Sequence, residues 1–181
     1  MNISVFGGSA PRPGEPAYEE AKKLGALLAR AGHSVLTGAY MGTMEAVSRG
    51  ASEAGGHVIG LTCTELEEWR PTAYNAWVAE ERRFPTLQER IIGLIDGCDA
   101  AIALPGGPGT LAEVSLMWNR MIIEASPRHP LILVGSGWRC VFDHFISELG
   151  TYIPVKDREL LQFAATVEQA ASLLPSPQRP G

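Results

Sequence analysis

The sequence predicts a doubly wound α/β fold, a Rossmann-like parallel sheet sandwiched between two layers of helices. Short apolar runs without polar alternation recur along the chain, as strands buried on both faces require. Segments with the helical spacing of apolar residues separate most of these runs. Three of the runs end in glycine-bearing loops, and sheets of this kind bind ligands at the carboxyl ends of their strands.

The elements follow in order. Ile3 to Phe6 is a first strand that ends in Gly7-Gly8-Ser9. After Pro11, Pro13 and Pro16, a helix from about Tyr18 to Ala31 carries Ala21, Leu24, Leu27, Leu28 and Ala31 on one face, with Gly32 as its C-cap. His33 to Thr37 is a second strand, Gly38 to Gly42 a turn, and Thr43 to Ala54 a helix stopped by Gly55-Gly56. His57 to Leu61 is a third strand. The stretch from Thr62 to about Thr86 shows weak periodicity and reads as a loop with short helical pieces. Leu87 to Ile95 is helical, Ala100 to Leu104 a fourth strand, and Gly109 to Ile123 a helix. Pro130 to Val134 is a fifth strand and Trp138 to Leu149 a helix; a short strand at Leu161 to Phe163 and a helix from Thr166 to Leu174 close the pattern. Right-handed crossovers are expected throughout. Residues 1–174 read as one domain and 175–181 as a flexible, proline-rich tail.

Composition narrows the function. Apolar residues make up 45% of the chain, charged residues 19%, and the net charge is −5, which provides no electrostatic footprint for nucleic acid or an anionic membrane. Cys63, Cys98 and Cys140 are odd in number and widely spaced, so neither a disulfide framework nor a zinc site is expected. The first residues, MNISVFGG, do not read as an export leader, and no apolar run reaches the ~20 residues of a membrane span. A cytoplasmic protein is expected.

The strongest local signal is Leu104-Pro105-Gly106-Gly107-Pro108-Gly109-Thr110-Leu111-Ala112-Glu113. A helix that starts in such a loop presents free backbone N–H groups and the positive end of its dipole, a natural seat for a phosphate, and Thr110 adds a hydroxyl. A plain strand-to-helix turn would need one glycine, whereas Gly106, Gly107 and Gly109 are three. The chain has only Lys22, Lys23 and Lys156, none in a Gly-Lys-Ser/Thr loop, which argues against a P-loop nucleotidase. Gly7-Gly8-Ser9 lacks dinucleotide spacing and no carboxylate follows the second strand, which argues against NAD. Lysine scarcity argues against Schiff-base chemistry with pyridoxal phosphate. His33, His57, His129 and His144 show no metal-ligand spacing, and no metal or other cofactor is expected. Glu113 reads as a first-turn carboxylate facing the loop, and Arg90, if not paired with Glu89 or Asp96, can reach the same crevice. Trp69, Tyr74 and Trp77 can stack on a flat ligand, while Trp118 and Met121 fit core or a dimer face equally well.

Pro105 to Glu113 resembles the PGGxGTxxE signature of the LOG family, long mislabelled as lysine decarboxylases. Val5-Phe6-Gly7-Gly8-Ser9 resembles its opening strand and loop, Thr37-Gly38 through Met44 its second glycine loop, and Leu87-Gln88-Glu89-Arg90 the segment with its active-site arginine. The resemblance implies a metal-free homodimer that hydrolyses the N-glycosidic bond of a nucleoside 5′-monophosphate, AMP-like, to free base and ribose 5-phosphate. It makes Arg90 and Glu113 the catalytic pair. Pro105, Gly106, Gly107, Gly109 and Thr110 become the phosphate cradle, with Gly8, Ser9, Thr37, Gly38 and Gly42 flanking the nucleotide. Two departures, Ile91 where lysine is usual and Gly38-Ala39-Tyr40-Met41-Gly42 where a glycine triplet is usual, resemble a divergent bacterial branch. A related branch contains molybdenum cofactor carriers, which makes a non-catalytic carrier of a nucleotide or pterin phosphate the alternative.

Overall fold

A computed structural model describes residues 1–175. The strands are β1 (Asn2–Phe6), β2 (Ser34–Thr37), β3 (Val58–Cys63), β4 (Glu80–Phe84), β5 (Ala100–Ala103), β6 (Leu131–Val134) and β7 (Leu161–Ala164). The helices are α1 (Pro16–Arg30), α2 (Thr43–Glu53), α3 (Thr64–Trp69), α4 (Leu87–Asp96), α5 (Pro108–Ile122), α6 (Ser136–Leu149), α7 (Val155–Arg158) and α8 (Val167–Ser172), with a 3-10 turn at Gly150–Tyr152. All seven strands are parallel, in the order β4-β3-β2-β1-β5-β6-β7. The chain winds one way from β1 to β4 and the other from β5 to β7, so the order reverses between β1 and β5. The loops after those two strands therefore diverge and leave a crevice between them.

Burial on both faces explains the unbroken apolar strands. One core layer joins β1 to α1, α2 and α8 through Val5, Leu24, Leu28, Val47 and Val167. The other joins the sheet to α4, α5 and α6 through Phe6, Leu36, Leu94, Met117, Trp118 and Phe142. Met121 is fully buried and Trp118 nearly so, its indole N–H donating to the Asp157 carbonyl at 2.7 Å, so both belong to the core. The Trp138 indole donates to the Leu104 carbonyl at 3.1 Å and ties α6 to the strand end that leads into the glycine loop.

The sheet has one strand more than the sequence predicts. Glu80-Glu81-Arg82-Arg83-Phe84 lies inside the stretch read as a loop, yet it pairs with β3 along five residues. It is an edge strand with exposed charged side chains, a composition that blunts edge-to-edge association and leaves no apolar signature. Thr62 Oγ1 donates to Glu81 Oε1 at 2.6 Å, and His57 Nε2 meets Glu80 Oε2 at 3.1 Å across the same pair of strands. His33 and His57 sit at the amino ends of β2 and β3, away from the crevice.

Helices α1 and α2 approach backbone to backbone. A Cβ at Gly25 would strike the Val47 carbonyl, and one at Gly50 the Lys22 carbonyl. Replacing Gly25 by alanine is expected to force the helices apart and cost about 1–3 kcal/mol, as overpacking of a close contact does. Urea denaturation followed by circular dichroism measures this; an unchanged midpoint would refute the contact.

Candidate active site

The crevice is built from backbone first. Gly8 N–H donates to the Pro105 carbonyl at 3.2 Å, and Thr43 N–H donates to the Gly8 carbonyl at 2.9 Å, so the loops after β1, β2 and β5 are stitched together. These contacts need glycine. A Cβ on Gly106 would stand 2.9 Å from the Gly8 nitrogen and strike the Thr110 side chain, and one on Gly42, at φ +70°, would stand 2.6 Å from the Ser9 Cα. Gly107 and Gly109 are different, because a Cβ on either would meet nothing within 4 Å. They leave room on the outer side of the loop.

Helix α5 starts at Pro108, with Gly107 as N-cap and the Leu111 amide bonded back to the Gly107 carbonyl. Proline at the first position removes one amide that the helix leaves unpaired, and the amides of Gly109 and Thr110 remain as the first-turn donors. Pro105 through Gly109 are exposed while Thr110 is buried, so the loop is an open cradle with the threonine at its base.

Helix α5 begins at Pro108, so Glu113 is its sixth residue and lies on the second turn, as it would even for a start at Gly109; the dipole argument for a first-turn carboxylate does not apply. The side chain is half-buried, and burial pushes its carboxyl from an ordinary 4.5 up to about 7, while the field of Arg90 pulls it the other way. No hydrogen bond or ion pair engages the carboxylate among the described residues.

Arg90 is the other charged group of the crevice. It lies on α4, which starts with a capping box: Thr86 Oγ1 accepts from the Glu89 amide, and the Glu89 carboxylate accepts from the Thr86 amide. That box occupies Glu89, and Asp96 pairs with Arg120 at 2.8 Å, so neither neutralises Arg90. The guanidinium is buried and donates to carbonyls, Nε to Leu61 at 2.7 Å and Nη2 to Gly38 at 2.8 Å. The Tyr40 ring lies 5.5 Å from its central carbon. Burial lowers its proton affinity, and the Glu113 carboxylate is the largest opposing influence. The two residues thus feel each other across the crevice, but no guanidinium nitrogen lies within 4.0 Å of the Glu113 carboxylate. Nη1 has no hydrogen-bond partner among the described residues.

The remaining residues divide by role. Gly8, Gly42, Pro105 and Gly106 shape the crevice, and exposed Ser9, Gly107 and Gly109 face its mouth. Thr37 is fully buried, its hydroxyl 3.1 Å from Ser48 Oγ and accepting from the Ala39 amide, so it braces the second loop and is not placed to touch a ligand. Gly38 serves through its carbonyl, which holds Arg90.

Two supports escaped the sequence reading. Tyr40 accepts from the Cys63 amide at 2.8 Å and hydrogen-bonds Glu67, which fixes its ring against Arg90. Asn75 donates to the carbonyls of Ala39 and Tyr40 at 2.7 and 3.1 Å, locking a loop in which Ala39 adopts φ +67°. A tyrosine amid glycines was the available signal for the first; nothing local marks the second. Trp77 stacks on Arg49 of α2, and Trp69, exposed, on Arg70.

The SLOG cluster4 family model matches residues 1–135, which includes every residue of the crevice. The chain belongs to this family. Its LOG-like character extends to a probable cytokinin riboside 5′-monophosphate phosphoribohydrolase of Oryza sativa, 35% identical over 128 residues. That match covers 69% of this chain and 56% of the rice protein, so the chain spans little more than half the length of such relatives. Among solved structures, the SLOG cluster4 chain superposes on the molybdenum cofactor carrier protein of Chlamydomonas reinhardtii with TM-score 0.72 and 26% identity, covering 94% and 93% of the two chains. The molybdenum cofactor binding protein of Rippkaea orientalis, at TM-score 0.73 and 24% identity over 95% and 93%, shares the fold.

A raised carboxyl carries a stability signature with a definite sign. Below pH 4.5 Glu113 is protonated folded and unfolded alike; between about 4.5 and 7 the unfolded chain ionises first, so stability falls as pH rises, and above about 7 the loss is complete. Glu113→Gln escapes this loss. Its melting temperature is expected to exceed that of the native chain at pH 8 by several degrees and to match it near pH 4. An equal difference at both pH values in a thermal melt would contradict the raised carboxyl.

Proposed function

We propose that this SLOG cluster4 chain is a nucleoside 5′-monophosphate phosphoribohydrolase. The observation that carries the reading is Glu113: a half-buried, unpaired carboxylate on the helix whose start forms the phosphate cradle, opposite a buried arginine that no carboxylate neutralises. Hydrolysis at C1′ of a ribonucleotide builds positive charge on the sugar, so a carboxylate at the ribose stabilises the transition state and takes a proton from the attacking water. The bond from C1′ to the base nitrogen breaks, its electron pair leaves with the base, which takes up a proton from solvent, the water oxygen becomes the anomeric hydroxyl of ribose 5-phosphate, and Glu113 returns its proton to solvent. In this scheme the α5 start holds the 5′-phosphate through the amides of Gly109 and Thr110, and that binding positions C1′. Arg90 stays charged and orients ligand oxygens through its free Nη1; it is no proton donor. A substrate oxygen is the natural bridge between it and Glu113. Lysine decarboxylation has no support, since no lysine lies in the three loops that form the crevice.

A second reading, a non-catalytic carrier of a nucleotide or pterin phosphate, is favoured by the lack of direct contact between Arg90 and Glu113 and by the cofactor carrier among the structural neighbours. Turnover separates the two. Incubating the purified chain with AMP and N6-modified AMP is expected to release base and ribose 5-phosphate, measured by chromatography. The rate should rise with pH through about 7, where Glu113 ionises, and fall at least about a hundredfold in Glu113→Gln. Absence of product from every nucleotide, with a phosphorylated ligand co-purifying from native protein, would establish the carrier instead.

We also propose self-association, in keeping with the homodimer that the LOG resemblance implies. A groove of about 490 Å³ between α5 and α6 is lined by Leu111, Val141, Phe142, Phe145 and Tyr152, and four of these, Phe142 excepted, are large exposed apolar side chains. Leu111 lies two residues before Glu113 on α5, so a second copy seated there would brace the catalytic helix. Phe145→Asp is expected to convert a dimer to monomer in sedimentation velocity; a native chain that sediments as a monomer refutes the interface.

A further inference from the structure

The segment Ser9-Ala10-Pro11-Arg12-Pro13-Gly14-Glu15 leads from β1 into α1 and follows directly on the crevice. Pro11 fixes its own φ, and Pro13 keeps Arg12 out of the helical region, so the backbone that presents Arg12 is stiff. The nearest carboxylates along the chain are turned onto that backbone. Glu15 Oε2 accepts from the Arg12 amide at 2.8 Å, the Glu15 amide returns a bond to the Arg12 carbonyl at 3.0 Å, and Glu19 Oε1 accepts from the Gly14 amide at 3.2 Å.

Among the described residues the guanidinium has no counter-charge within ion-pair distance. Its one hydrogen-bond contact among the described residues is Nη1 to the Met41 sulfur at 4.0 Å, and a thioether is a weak acceptor that an anion readily displaces. Met41 belongs to the second glycine loop, next to Gly42, whose backbone packs against Ser9. Arg12 therefore stands on the rim where the loops after β1 and β2 meet. Residues 7–15, 38–43 and 105–110 together contain no other lysine or arginine. The floor's own cation, Arg90, spends two donors on carbonyls and faces Glu113. A phosphate dianion on the α5 start would meet amides and a hydroxyl there but no full positive charge except from Arg12.

From this arrangement we infer that Arg12 is a specificity-determining residue, folding over the crevice to bind the phosphate of a 5′-monophosphate and so favouring nucleotide over nucleoside. The inference rests on the nucleotide reading above and adds a residue that neither the signature loop nor the catalytic pair includes. An arginine suits the role because its planar fork engages two phosphate oxygens at once, and the stiff proline-flanked backbone reduces the ordering cost.

The test uses the full chain in the Glu113→Gln background, so that AMP is not consumed, and titrates AMP and adenosine separately by calorimetry. Arg12→Ala is expected to weaken AMP binding about tenfold or more while changing adenosine binding less than twofold, and Arg12→Lys to recover part of the loss. Arg12 is exposed and its removal opens no buried contact, so folding persists and a thermal melt verifies it. AMP affinity unchanged in Arg12→Ala, or equal losses for AMP and adenosine, overturns the role of Arg12 and leaves the nucleotide reading standing. Failure of the parent Glu113→Gln chain to bind AMP overturns both.

Discussion

The amide of Gly8 and the carbonyl of Pro105 hold the β1 and β5 loops together, and the crevice depends on that contact. At the switch point of a doubly wound sheet the crossovers diverge, and the gap between them closes only as far as the backbones permit. Here the Gly8 loop and the Gly106 turn approach until a Cβ on Gly106 would stand 2.9 Å from a backbone nitrogen. The result is a narrow floor of main chain, with α5 starting at its edge and α2 starting behind it. Glycine at 42 and 106 is a packing requirement of this floor, whereas glycine at 107 and 109 leaves space beyond it.

Arg90 is the second constraint, and it is an expensive one. Removing a guanidinium from water costs several kcal/mol, by the effective penalty typical of a buried ion, unless partners replace the solvent. The fold supplies two carbonyls, a tyrosine face and a thioether, none of them a full negative charge. The nearest carboxylate influence is Glu113, itself desolvated and held near neutrality. Each group is thus kept short of its best partner by the same crevice, a separation that a polar ligand spanning both would relieve. Tyr40, Asn75 and the capping box at Thr86 are the scaffolding of that arrangement, since each fixes a loop or helix end from which Arg90 is aimed.

The fold was legible because buried parallel strands and amphipathic helices announce themselves through apolar spacing alone. The one missed strand, β4, is an edge: Glu80 to Arg83 carry charge outward, and its pairing is made by backbone groups that have no sequence signature. The candidate site was legible in part for a different reason. The loop 105–110 concentrates its chemistry within six residues, so its geometry is local and its glycines point to it directly. The LOG resemblance implies that Thr37 flanks the nucleotide, but burial turns its hydroxyl to Ser48.

The sequence by itself determined the alternation of strand and helix and the phosphate-type loop that opens α5, because each follows from short-range spacing, whereas the pairing of Arg90 with Glu113 came from the resemblance to the LOG signature. Only the tertiary structure decided that Glu113 is desolvated and ionises near 7, that Arg90 rests on the carbonyls of Leu61 and Gly38, and that Arg12 stands at the rim without a carboxylate partner among the described residues. Those properties depend on desolvation and on groups far apart in the chain, and neither exists until the loops of β1, β2 and β5 close on one another.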